Sequence, residues 1–107
     1  MTTPHEAEVA RGYLLMILDA KRTSDRGRDE DPSTYTAEEV LQLQLRKMGL
    51  PMLLTQIRAE LYYLYDKELV RFHKTSVGGQ HFFSWRITAD GVDVLQGHRS
   101  IPGIAGV

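Results

Sequence analysis

The sequence predicts an α+β, mainly helical domain: three helices, a two-stranded antiparallel β-wing and a short C-terminal helix, the winged helix-turn-helix arrangement. Three observations lead there. Two β-favouring runs, 69–75 and 80–88, flank a Gly78-Gly79 pair. Two segments of helical periodicity are separated by only a Gly49-Leu50-Pro51 corner. The chain has 107 residues, 42% of them apolar and 25% charged, which suits one globular domain and leaves little room for a second core. We expect that domain over 1–96, interrupted by a polar loop at 23–35, with an extended tail over 97–107.

The first helix is expected from Glu6 to Arg22. Val9, Ala10, Tyr13, Leu14, Ile17 and Leu18 follow the three-and-four spacing of an amphipathic helix. Leu15 and Met16 fall off that stripe. Two explanations stay open for them: burial between two other elements, or a dimer contact. From Thr23 to Thr34 no residue offers an apolar anchor and the charges nearly cancel, so a solvated spacer is expected.

Thr36-Ala-Glu-Glu39 has the form of a capping box, a hydroxyl at N-cap with a carboxylate three residues on, and so opens the second helix. Val40, Leu41, Leu45 and Met48 give it a buried stripe. Gly49 ends it, since a C-terminal cap favours the left-handed conformation. Pro51 fits the first turn of a third helix running to Tyr65, with Leu54, Ile57, Leu61, Leu64 and Tyr65 inward. Two helices joined by so short a turn place the third in the recognition position of a helix-turn-helix.

Gly-Gly suits a two-residue type I′ turn, which requires positive φ at both central residues. That turn alone sets the strand register: Val77 opposes Gln80, Lys74 opposes Phe83, Phe72 opposes Trp85 and Val70 opposes Ile87. Alternation then puts Val70, Phe72, Phe83, Trp85 and Ile87 on one face, an independent agreement between turn and pattern. The opposite face carries Arg71 against Arg86, His73 against Ser84 and Thr75 against Phe82. After the wing, Thr88-Ala-Asp-Gly91 reads as an N-capped helix start with Val92 and Leu95 inward, and Gly97 as its end.

Several chemistries are excluded. The longest apolar run is Tyr13 to Leu18, too short for a membrane span. The N-terminus has no basic leader region, so a cytoplasmic location is expected. There is no cysteine, hence no disulfide or thiolate metal site. The histidines are His5, His73, His81 and His98, none at ligand spacing, and the wing register sends His73 and His81 to opposite faces. No metal or cofactor is therefore expected. Without a Ser nucleophile elbow or a phosphate-cradling Gly loop, the chain does not read as an enzyme.

Nucleic-acid binding remains. Net charge is −1, so any such role needs a local patch. From Leu69 to Ala89 the ionic residues are Arg71, Lys74 and Arg86, with no acid, and His73 adds a titratable neighbour. On the third helix Thr55, Gln56, Arg58 and Ala59 lie on or beside the outward side, and Gln56 and Arg58 are types that read base edges bidentately. Against this stand Glu60 and an apolar character at Met52, Leu53, Tyr62 and Tyr63, which suggests a protein interface instead. Leu15, Met16 and Leu43 extend the candidate interface and would suit a homodimer.

The segment Met48-Gly-Leu-Pro51 through Gln56-Ile-Arg-Ala-Glu-Leu61, with Leu64, Leu69-Val70, the Gly78-Gly79 wing, Ile87-Thr-Ala-Asp-Gly91 and the tail Gly97-His-Arg-Ser-Ile-Pro-Gly-Ile104, resembles a family of small proteins of Mu-like bacteriophages and prophages. These are labelled as winged-helix or ArsR-like regulators. The likeness covers most of the chain from Tyr35 onward. It implies a DNA-binding transcriptional regulator acting in the cytoplasm of a bacterial host. Metal sensing is not carried over, because this chain lacks the Cys or clustered His ligands. The alternative is a protein-interaction module in phage assembly or DNA packaging, bound to a phage protein partner and not to DNA.

Overall fold

The computed structural model describes residues 3–24, 35–97 and 103–104. Its order is α1 (Pro4–Ser24), β1 (Thr36–Ala37), α2 (Glu38–Lys47), α3 (Leu54–Asp66), β2 (Val70–Val77), β3 (Gln80–Ile87) and α4 (Ala89–Leu95). This is a winged helix-turn-helix: a mainly helical α+β fold with a small antiparallel sheet. The expected spacer over Thr23–Tyr35 falls mostly outside the described residues.

α1 runs through the centre. Ala10, Leu14, Leu15 and Leu18 are buried in one core with Leu41, Leu45, Ile57, Leu61, Leu64, Leu69, Val70, Trp85 and Ile87. Leu15 is wholly buried, so of the two explanations open for it the helix takes burial between elements.

The second helix does not begin as expected. Thr36 is not an N-cap; it pairs with Trp85 in a third strand, giving the sheet order β1-β3-β2. Ala37 takes the N-cap position with no side-chain bond, and Thr36 Oγ1 is buried with no hydrogen-bond partner. Strand pairing against a buried tryptophan outweighs a local cap worth about 1 kcal/mol. At the other end the reading holds: Gly49 has φ +85°, and Leu50 N–H donates to the Leu45 carbonyl at 2.9 Å.

α3 begins three residues later than Pro51 would suggest. Gln42 Nε2 donates to the Met52 carbonyl at 3.0 Å, which ties the corner to α2 in extended form. Leu53 is the N-cap, and its N–H donates to Gln56 Oε1 at 2.9 Å. A side chain reaching back from N3 satisfies one of the amides a helix start leaves unpaired. The helix closes on Glu68, a non-glycine at φ +63°, with Leu69 N–H donating to the Leu64 carbonyl.

The wing has the register derived from its turn, pair for pair, and both turn glycines have positive φ. Its inner face stacks Phe72 on Trp85 at 5.3 Å between ring centres and on Phe83 at 5.8 Å. α4 is capped by Thr88, whose Oγ1 accepts from Gly91 N–H at 3.1 Å and donates to the Glu68 carbonyl at 2.8 Å. One hydroxyl thus starts α4 and fixes the turn that ends α3. Of the tail, Gly103 and Ile104 are described; Ile104 packs on the core and the Gly103 carbonyl accepts from Arg11 at 2.6 Å.

Candidate nucleic-acid interface

α3 crosses the inner face of the wing. Tyr65 meets Phe72 at 5.1 Å, Tyr62 sets its ring against Trp85 at 5.7 Å, and the Arg58 guanidinium lies 4.8 Å from the Phe83 ring centre. Phe83, on which Arg58 lies, is the strand partner of Lys74, so both cations belong to the inner-face side of the wing. Thr55, Ala59 and Tyr62 are exposed at helical spacing and form the open stripe of α3.

Arg58 is held by a buried carboxylate. Its Nε donates to Glu38 Oε1 and Oε2 at 3.2 and 3.1 Å, and its Nη2 donates to Oε1 at 2.6 Å. The Glu38 side chain is 3% exposed and that of Arg58 40%. Trp85 Nε1 donates to Glu38 Oε2 at 3.0 Å. Hydrogen bonding to Glu38 raises the Arg58 pKa above its ordinary value, so the guanidinium stays charged. One carboxylate therefore joins α2, α3 and β3.

Glu60, which sequence reasoning set against DNA, turns inward. It accepts from Arg11 Nε at 2.9 Å, and the same guanidinium lies 3.7 Å from the Tyr63 ring centre while donating to Gly103. This removes the acid from the open stripe.

The four expected wing bases do not share a face. Lys74 projects on the inner face, beyond the aromatic stack, while Arg71, His73 and Arg86 lie on the outer one. There His73 meets the Tyr35 ring at 6.0 Å. Arg86 is half-buried and engaged within the domain. Arg71 is exposed but lines an open cleft with Asp66, Glu68 and Asp90. The acids beside Arg71 weaken positive potential at the base of the wing, the Arg58 charge is offset by Glu38, and Lys74 is an exposed cation on the inner face.

The expected apolar interface is also dispersed. Leu15 and Met52 are buried core residues, 0% and 8% exposed, and so offer no surface to a partner in this fold. Tyr63 is covered by Arg11, and Tyr62 leans on Trp85. Met16, Leu43 and Leu53 remain exposed, at 43%, 46% and 65%.

Sequence reasoning missed Glu38 and Arg11. Glu38 looked like half of a capping cluster, yet a buried indole N–H seeks an acceptor, and that requirement on Trp85 was the available signal. Among the described residues no group of three or more His, Asp or Glu comes together as a metal site, and no helix is long and apolar enough to cross a membrane.

No protein-family model matches the chain, and no curated protein matches it in sequence. Among solved structures its fold is similar to the crystal structure of a PadR family transcriptional regulator from Eggerthella lenta. The TM-score is 0.57, with 16% sequence identity over 79% of this chain. This chain spans 66% of that protein's length. At that identity the likeness is one of fold, and it supports the winged helix-turn-helix architecture described above.

Proposed function

We propose that this chain is a DNA-binding transcriptional regulator. α3 enters the major groove with Thr55, Gln56, Arg58 and Ala59 toward the bases, and the wing meets the phosphates from both its faces, Lys74 on the inner one and Arg71, His73 and Arg86 on the outer one. The observation that carries this reading is the junction of α3 and the wing. Arg58 lies on Phe83, whose strand partner is Lys74, while Glu60 is drawn away to Arg11. A recognition helix cleared of acid beside a wing that carries bases is what a duplex requires.

The sequence resemblance to Mu-like phage proteins supports a regulator encoded by a phage or prophage and working in the bacterial cytoplasm. A homodimer reading two half-sites is part of the same proposal, and light scattering at several concentrations tests it.

Fluorescence anisotropy with labelled duplexes tests the reading itself. Neutralising three phosphates gives a slope of about −2.7 in log affinity against log salt, so binding falls roughly 40-fold between 50 and 200 mM salt. The variant Arg71→Ala/Arg86→Ala reduces that slope. If no duplex binds at 50 mM salt, the reading is wrong. Capture of a phage protein through Leu53 and Leu43 in its place would then favour the protein-interaction module.

A further inference from the structure

Arg58 is gripped along one edge. A guanidinium carries five N–H donors in a planar fork. The Glu38 pair occupies Nε–H and one hydrogen of Nη2. The second Nη2 hydrogen and both on Nη1 lie outside that bond, on a side chain that remains 40% exposed. The grip is fixed from behind, since Trp85 Nε1 holds Glu38 Oε2 and the Phe83 ring lies 4.8 Å from the guanidinium carbon.

We infer that Glu38 presets Arg58 as a donor fork for guanine, its open edge bonding O6 and N7 in the major groove, with Glu38 as the positioning residue. The inference rests on the DNA-binding reading. Two properties of the pair favour a base edge over a phosphate. First, the Arg58–Glu38 pair is neutral as a unit, so its Coulomb attraction for a phosphate anion is largely cancelled, whereas its hydrogen-bond donors toward a neutral acceptor are retained. Second, a fork already locked in a plane loses little freedom on meeting two coplanar acceptors. Guanine alone presents two adjacent acceptors in the major groove; adenine, thymine and cytosine each place a donor or a methyl group there.

The experiment selects a preferred site from a randomised duplex pool with the wild-type full chain. Affinity is then measured at fixed salt with 7-deazaguanine, which lacks the N7 acceptor, at each guanine of the site in turn. At one guanine per half-site the substitution weakens wild-type binding by about tenfold, since one bond of the bidentate pair is lost and its donor is left facing a C–H. Arg58→Met binds the deaza and natural duplexes equally. Glu38→Gln loses discrimination at that position while its affinity for non-matching duplexes holds or rises, which a merely structural defect would not produce. Because the deaza probe alters only DNA, its result stands even where a variant folds poorly; thermal melts report on the variants.

Three outcomes overturn the inference. One is a selected site with no guanine at which 7-deazaguanine weakens binding. Another is an equal loss of affinity by Arg58→Met on every sequence with a shallower salt slope, which marks a phosphate contact. Wild-type protein that binds no duplex at all removes the functional reading together with this one, so the two failures are told apart by the wild-type titration.

Discussion

Replacing Thr36 with valine sets the local signal of the sequence against the tertiary structure, because the two give opposite signs. A threonine N-cap replaced by valine would cost about 1 kcal/mol. In the structure Thr36 is 7% exposed, lies opposite Trp85 in β1, and keeps its hydroxyl unpaired. Removing a buried, unpaired hydroxyl relieves about 1–3 kcal/mol. Both residues are β-branched, so strand preference cancels, and a slightly larger methyl in a packed site returns part of the gain. The expected net is a stabilisation of about 1 kcal/mol, a rise in Tm of about 4–8 °C for a domain of this size. Circular dichroism melts and urea titration measure it. Glu39→Ala serves as the control: as a member of a capping box it would matter, but as an exposed residue it shifts stability by less than about 0.5 kcal/mol. A lower Tm for Thr36→Val would refute the strand assignment and restore the cap.

Three further outcomes are expected. Gly91→Ala is destabilising by about 1–3 kcal/mol, although helix propensity alone favours alanine by about 1 kcal/mol; a Cβ there meets the Leu69 carbonyl and comes within 2.6 Å of Ile87 Cγ1, and chemical denaturation gives the sign. Arg11→Met leaves buried Glu60 unpaired and costs about 2 kcal/mol, partly recovered by Glu60→Gln, while amide exchange at Ile104 accelerates as Gly103 loses its donor. Glu68→Gly raises stability by about 0.5–1 kcal/mol in the same assay, since the position sits at φ +63° and the left-handed region penalises a side chain.

The wing shows how much a sequence can specify when two constraints act on the same atoms. Gly78-Gly79 dictates the turn, the turn dictates the register, and the alternation of Phe72, Phe83 and Trp85 confirms it without reference to anything distant. Thr88 and Gly49 are similar, because a cap is a bond between neighbours in the chain. Arg58 was legible as a residue type suited to reading bases. Its tether was not, since Glu38 lies 20 residues away and nothing local distinguishes it from Glu39.

The sequence by itself therefore determined the helix-turn-helix and wing, the strand register and the presence of a basic wing, all of which rest on short-range periodicity and turn chemistry. Tertiary structure decided which polar groups are free to meet a partner. It drew Thr36 into a strand, Leu15 and Met52 into the core and Glu60 onto Arg11, and it divided Lys74 from Arg71, His73 and Arg86. The reason is that burial and ion pairing are set by residues far apart in the chain, and a long-range partner for a buried charge or strand outweighs a local cap worth about 1 kcal/mol.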